Sequence, residues 1–153
     1  MDEVIPVAVV YATDVESDVM EAINHLLPQL STSAEPMTAD QLNEMLKSDA
    51  ITLIVARDNI SLEIIGVLTL ATFRIPTGVR AWIEDVIVDS LDRGRGIGEL
   101  LTRKALEIAS KKGAKTVELT SRPSREAANR LYQRIGFKIR ETNVYRYKLG
   151  ESA

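Results

Sequence analysis

The residues whose types and spacing most suggest chemistry are the run Arg93-Gly-Arg-Gly-Ile-Gly98. The hydrophobic pattern places it between a strand and a long amphipathic helix. Three glycines at a helix start cost about 0.5–1 kcal/mol each in conformational entropy, which makes sense where something must approach the backbone closely. Free amides at a helix N-terminus point outward at the positive end of the dipole, so the run suits a phosphate. Arg93 and Arg95 add full charges there. A dinucleotide fingerprint needs Gly-x-Gly-x-x-Gly, and counted from Gly94 the third glycine falls at 99, where glutamate stands. The run also follows four expected strands instead of the first. A Walker loop is excluded because no Lys-Ser or Lys-Thr pair follows the glycines.

Other chemistries are closed by composition. The 153 residues contain no cysteine, so there is no thiolate nucleophile, no acyl-enzyme on sulfur and no Cys-based zinc site. His25 is the single histidine, expected at the edge of the core, and no metal is expected. With 45% hydrophobic and 27% charged residues, the chain is long enough for a core without staples. No apolar run approaches the roughly 18 residues of a membrane helix, and Met1–Glu3 leads into a strand-like run, not a signal peptide. These features predict a soluble cytoplasmic protein with no membrane partner.

The elements that must position the glycine run follow from periodicity. Ile5–Tyr11 reads as a first strand. Thr13 or Asp14 then caps a helix carrying Val15, Val19, Ile23, Leu26 and Leu30, interrupted near Pro28. Thr38-Ala-Asp-Gln41 is a capping box opening a second helix with Leu42, Met45 and Leu46 inward. Ile51–Arg57, Glu63–Phe73 and Arg80–Val88 read as strands, with Phe73 and Trp82 in the sheet core. Gly94–Lys112 is a long helix closed by Gly113. Thr116–Thr120 is a fifth strand, Ser124–Ile135 a last helix stopped by Gly136, and Phe137–Arg140 and Val144–Leu149 are final strands. The order is βααβββαβαββ in a single domain, residues 1–153. Tyr145 and Tyr147 alternate on the last strand, where they line either an acceptor pocket or a dimer edge. Arg103, Lys104, Lys111 and Lys112 form a solvated helix face.

Charge divides along the chain. Residues 1–50 carry a net −9, residues 51–92 a net −3, and residues 93–153 a net +9. A basic third within a nearly neutral total points to one phosphate-rich ligand more than to a nucleic-acid duplex.

The arrangement Arg93-x-x-Gly96-x-Gly98, preceded by Val86-Ile-Val88 and followed some 35 residues later by Ala128-x-x-Leu131-Tyr132-x-x-x-Gly136-Phe137, resembles the GNAT superfamily of N-acetyltransferases. The resemblance covers nearly the whole chain. It implies a three-layer α+β fold: a mixed, largely antiparallel sheet of about seven strands with helices on both faces, splayed between strands four and five. It implies acetyl-CoA as co-substrate, with the loop amides of Gly94, Arg95, Gly96, Ile97, Gly98 and Glu99 on the pyrophosphate. The backbone of Val86, Ile87 and Val88 would pair with the pantetheine arm as a further strand. The strand Ile83–Val88 is also similar to that of glucosamine-6-phosphate acetyltransferases, in which an acidic pair lies beside the sugar amine.

Direct transfer to a lysine-like amine of pKa about 10.4 needs a base, and the departing thiolate needs a proton. Glu84 is the expected base, being the acidic residue nearest the Val86 backbone on one face of the strand, and Asp85 is expected to bind substrate. A bulge would change the parity of this strand, so which carboxylate faces the cleft is open. Tyr132 matches the family tyrosine at the coenzyme sulfur, and a phenol of pKa about 10 can serve a thiolate whose thiol lies near 8.5. Many relatives carry asparagine seven residues before that tyrosine; Arg125 stands here, and Asn129, one turn before Tyr132, is either its replacement for coenzyme binding or an exposed helical residue. Thr120 stands where relatives acting on ribosomal protein termini often carry glutamate, which disfavours a protein N-terminus as acceptor. Arg122 and Arg125 either grip a phosphate or form a solvated face.

The expectation is therefore an N-acetyltransferase moving an acetyl group from acetyl-CoA to a primary amine, with a cationic small-molecule acceptor such as an amino acid, polyamine or amino sugar. Two readings compete with it, a non-catalytic acyl-CoA sensor and a nucleic-acid-binding domain. A homodimer is the family-level expectation.

Overall fold

The computed structural model describes residues 7–12 and 17–150. Packing divides the chain after Thr120 into two compact units.

In the first unit, β1 (Val7–Ala12), β2 (Ile51–Asp58), β3 (Ile64–Ile75), β4 (Gly78–Val88) and β5 (Val117–Glu118) form one sheet in the order β1-β2-β3-β4-β5. The first four pair antiparallel, and β5 pairs parallel with β4. Helices α1 (Ser17–Leu30) and α2 (Ala39–Lys47) precede β2, and α3 (Ile97–Lys111) follows a 3₁₀ turn at Ser90–Asp92. The mixed sheet and helix order agree with the expected fold up to α4 (Glu126–Ile135).

Consecutive strand residues point to opposite faces, which sorts the helices. Val67 packs in one cluster with Val19, Ile23 and Leu26 of α1 and Leu42 of α2. Its neighbour Gly66 faces α3: a Cβ there would stand 3.1 Å from Leu101 Cδ1 and 3.2 Å from Ile97 Cγ2. The missing side chain lets α3 lie close on β3 where its first turn begins. Further along α3, Leu101, Ala105, Ile108 and Ala109 are buried. Gly113 ends the helix as expected: the amide of Ala114 donates to Ala109 and that of Gly113 to Ser110.

The capping box of α2 is present, with Thr38 Oγ1 accepting from Gln41 N and Gln41 Oε1 accepting from Thr38 N. Thr13, Asp14 and Val15, the expected start of the first helix, lie outside the described residues. The expected break near Pro28 does not occur, and α1 runs through it to Leu30. Pro28 sits in the last turn, so it removes only the bond that the Asn24 carbonyl would have accepted. Phe73 is not core but 42% exposed. Beyond Ala71, β3 has no ladder partner on β2, so the hairpin end is a two-stranded ribbon.

The second unit holds α4. Gly136, at φ 123°, closes this helix, and the amide of Phe137 returns to the Tyr132 carbonyl at 2.9 Å. This reversal sets the Phe137 ring edge-on to Tyr132, with centroids 5.7 Å apart. The Leu-Tyr…Gly-Phe spacing is thus a helix end folded back on its own aromatic. The two final strands expected at 137–140 and 144–149 are not formed, so the sheet has five strands among the described residues instead of about seven. A strand exists through its ladder, and nothing described pairs with this segment. Tyr145 and Tyr147 are exposed.

Candidate functional site

β4 changes character midway. Ala81 and Trp82 pair with β3 on one side and with Val117 and Glu118 on the other. From Ile83 onward the β5 side has no ladder partner among the described residues, so the backbone of Val86, Ile87 and Val88 lies along an open edge. This is the splay expected between strands four and five.

The same stretch is bulged. Thr69 pairs with Glu84 and Val67 with Ile87, so three steps of β4 oppose two of β3. Asp85 absorbs the extra residue in a left-handed conformation, φ 49°. Strain of this kind costs a non-glycine residue about 1–2 kcal/mol, less for aspartate, and tends to collect at functional sites. The bulge breaks the simple alternation that would align Glu84 with Val86 and Val88. Glu84 now shares the face of Thr69, and Ile87 that of Val67. Asp85 lines a half-open cavity of about 160 Å³ on this same face, together with Ile23 and Leu27 of α1, Met45 of α2, and Leu53 and Val67 of the sheet. Both carboxylates therefore stand on the α1/α2 side.

The cavity wall is braced from its rim. Asn24 of α1 donates to the Met37 carbonyl and accepts from the Met37 amide at 2.7 Å, fixing the α1–α2 loop. Arg57 ties Asp18 of α1 to the Leu62 carbonyl.

Beyond β4 the chain enters the glycine run. Gly94 and Gly96 have φ of 81° and 78°, which explains glycine at those positions. Gly98 lies already in the first turn of α3, where the helix makes no such demand and glycine costs about 1 kcal/mol against alanine. Its bareness leaves the N-terminal amides uncovered. Gly96, the N-cap, supplies no side-chain acceptor to them. Ile97, Gly98 and Glu99 thus begin a helix whose first amides face outward, as phosphate binding requires.

The two arginines of the run behave differently. Arg93 is exposed and makes no ion pair among the described residues. Arg95 is held between Asp92 at 2.7 Å and Asp58 at 3.0 Å. Hydrogen bonds to these two carboxylates push its pKa further up. Asp58 is nearly buried and also accepts the amides of Ile60 and Ser61; these bonds, and then Arg95, hold its carboxyl below the usual range. Arg95 therefore pins the loop to the β2–β3 turn, and its charge is already matched by protein carboxylates.

A second clasp reaches the loop from α1. His25 Nε2 lies 3.0 Å from Asp89 Oδ2, and Gln29 Oε1 accepts the Ser90 amide. Asp89 accepts the Leu91 amide as well, and these bonds outweigh its burial to lower its pKa. His25 is thus not a core-edge residue: its side chain is 64% exposed and faces a carboxylate. Asp58, Asp92, Gln29 and Asp89 were not singled out from sequence. The partners of Asp58, Gln29 and Asp89 lie 37 to 64 positions away, where no spacing rule marks them, and only Asp92 pairs locally, with Arg95 three positions on.

In the second unit, burial raises the pKa of Tyr132, with the Arg125 charge acting in the opposite direction. The Asn129 amide donates to the Arg122 carbonyl at 2.9 Å. Arg125 is the N-cap of α4 and gives no side-chain cap.

Comparison with known proteins agrees with this architecture. The family model of the acetyltransferase (GNAT) family matches residues 19–137. The chain belongs to that family. It is similar to an uncharacterized N-acetyltransferase of Methanocaldococcus jannaschii, 43% identical over 61 residues, which is 40% of this chain and 27% of that protein. It is 34% identical over 73 residues to N-alpha-acetyltransferase 30 of Schizosaccharomyces pombe, covering 48% of each. These matched stretches thus span about a quarter and about half of the curated relatives. Among solved structures, an acetyltransferase of Trypanosoma brucei superposes with a TM-score of 0.78 at 25% identity, over 94% of this chain and 99% of that one.

Proposed function

We propose that the protein is an N-acetyltransferase that moves an acetyl group from acetyl-CoA to a primary amine of a small molecule, with both units forming one catalytic domain. The observation that carries this reading is the uncapped, glycine-bared start of α3 beside the open edge of β4, in a chain whose family match runs across the division after Thr120. The amides of Gly94–Glu99 would receive the pyrophosphate with Arg93 alongside, and the backbone of Val86–Val88 would pair with the pantetheine. The Arg95 side chain acts here by holding the loop, while its amide stays among those offered to the pyrophosphate. Asn129 keeps a coenzyme-binding role in this reading through its carbonyl oxygen, its amide being engaged on Arg122.

The amine nitrogen bonds to the acetyl carbonyl carbon, the carbon–sulfur bond breaks, Glu84 takes the proton from nitrogen, and Tyr132 supplies one to the thiolate. A phenol whose pKa is raised by burial stays protonated at neutral pH, as that last role needs. Asp85 on the α1/α2 side would hold the incoming ammonium. The reading expects a cytoplasmic homodimer, checked by light scattering and by localisation of a tagged chain. No metal takes part in the proposed steps.

The test follows thiol release from acetyl-CoA over a panel of amines, beside calorimetric titration of the coenzyme. Turnover with at least one amine is expected. Coenzyme binding without turnover would assign a binding module instead, and absence of binding would remove the reading altogether. Tyr132→Phe is expected to lower kcat while acetyl-CoA affinity survives; full activity would take the proton-donor role from Tyr132.

A further inference from the structure

The cavity under α1 and α2 says which kind of amine fits. Among its described lining residues only Asp85 and Thr69 are polar, and the rest are aliphatic or methionine. Ile23, Leu53, Val67 and Ile87 are nearly fully buried, while Leu27, Met37, Met45 and Ile51 are half-buried and Asp85 is exposed, so this lining is a half-open apolar cleft at the edge of the core that carries one carboxylate. Its volume of about 160 Å³ compares with the roughly 150 Å³ of an apolar cavity that takes up a benzene ring. A ligand filling it presents one positive group to Asp85 and an uncharged arm to the apolar wall. A sugar's hydroxyls or a second ammonium would lose water there without a protein partner.

We propose that the acceptor is a monoamine whose amino group sits at Asp85 and whose arm, a branched alkyl chain or a single aromatic ring, fills this cavity. The inference rests on the N-acetyltransferase reading and narrows its acceptor away from polyamines and amino sugars. The bulge at the left-handed Asp85 places this exposed carboxylate in the lining of the apolar cleft. Met37, its backbone clamped by Asn24, and Met45 also line the cavity and are half-buried, so their flexible side chains give the pocket adjustable walls.

The experiment measures kcat/KM with acetyl-CoA for ethylamine, isoamylamine, phenethylamine, putrescine and glucosamine. Isoamylamine or phenethylamine is expected to exceed ethylamine by about tenfold or more, as filling an apolar pocket does, with putrescine and glucosamine below both. Preference for putrescine or glucosamine, or indifference to the arm, would overturn this inference and leave amine acetylation standing. Thiol release with none of the amines, despite coenzyme binding, would overturn the wider reading and this one with it. Leu27→Trp, which fills the cavity, should cut the phenethylamine-to-ethylamine ratio about tenfold, with a thermal melt showing that the variant is folded. If it is not, Met45→Ala enlarges the cavity instead and should move the optimum to a longer arm. An unchanged ratio in a folded variant counts against the proposal.

Discussion

From Gly78 to Ile83, β4 follows a regular register with β3, and at Ala81 and Trp82 it has neighbours on both sides. From Glu84 to Val88 the same strand has one neighbour among the described residues, an extra residue, a left-handed aspartate and a backbone edge with no described ladder partner. The first half gives stability, burying Ala81 and Ile83. The second half leaves hydrogen-bonding capacity unused and carries both exposed carboxylates. In the proposed reading the difference teaches that one continuous strand serves as scaffold in its first half and as site in its second, where its described neighbour stops early. The two arginines at 93 and 95 repeat the lesson at smaller scale: one is engaged by protein carboxylates, and the other is open to a ligand.

Substitutions should separate the halves. Glu84→Gln carries the largest expected effect, a fall in kcat of about 10² to 10⁴ if it is the general base. The rise of rate with pH should flatten at the same time, and an unchanged pH–rate profile would remove Glu84 from that role. Ile83→Ala, one residue earlier, should instead cost about 2–5 kcal/mol of stability in denaturant unfolding, since it empties buried space. Comparable losses of kcat in both variants would erase the distinction between scaffold and site.

Asp85→Gly probes the strain directly. Glycine accepts a positive φ, so stability should stay level or rise by up to about 1 kcal/mol, while kcat/KM for the amine falls. A stability loss with intact kinetics would make Asp85 structural.

The smallest effect concerns acid stability. Asp58 titrates below its unfolded value, so the stability it contributes is complete above the unfolded carboxylate pKa and is lost as pH falls through the lower folded value. Asp58→Asn should therefore lower the melting temperature at neutral pH and reduce its dependence on pH below about 4. An acid limb as steep as in the parent chain would mean that Asp58 does not drive it.

Much of this was readable along the chain because it depends on neighbours in sequence. The capping box at Thr38–Gln41 and the helix ends at Gly113 and Gly136 are each written within about one or two helical turns. The glycine run declared a backbone left bare at a helix start, and its spacing alone excluded the commoner phosphate loops. Local hydrogen bonds and φ preferences decide such features, and they need no distant partner.

The remainder was decided by contacts between distant residues. The alternation of Trp82–Val88 could not say that both carboxylates face the α1/α2 side, because a bulge is set by register against β3. Nothing near Arg95 announced that Asp58, 37 positions away, would hold it. His25 read as a core-edge residue until Asp89 came to face it. Phe137–Arg140 and Val144–Leu149 carry strand-forming residues, yet a strand needs a ladder partner that composition cannot provide. The sequence by itself determined where the chain starts and stops its helices and where it bares its backbone. Tertiary structure alone decided which charges are matched, which edge is open and which carboxylate meets the apolar cleft, because each depends on what another segment brings alongside.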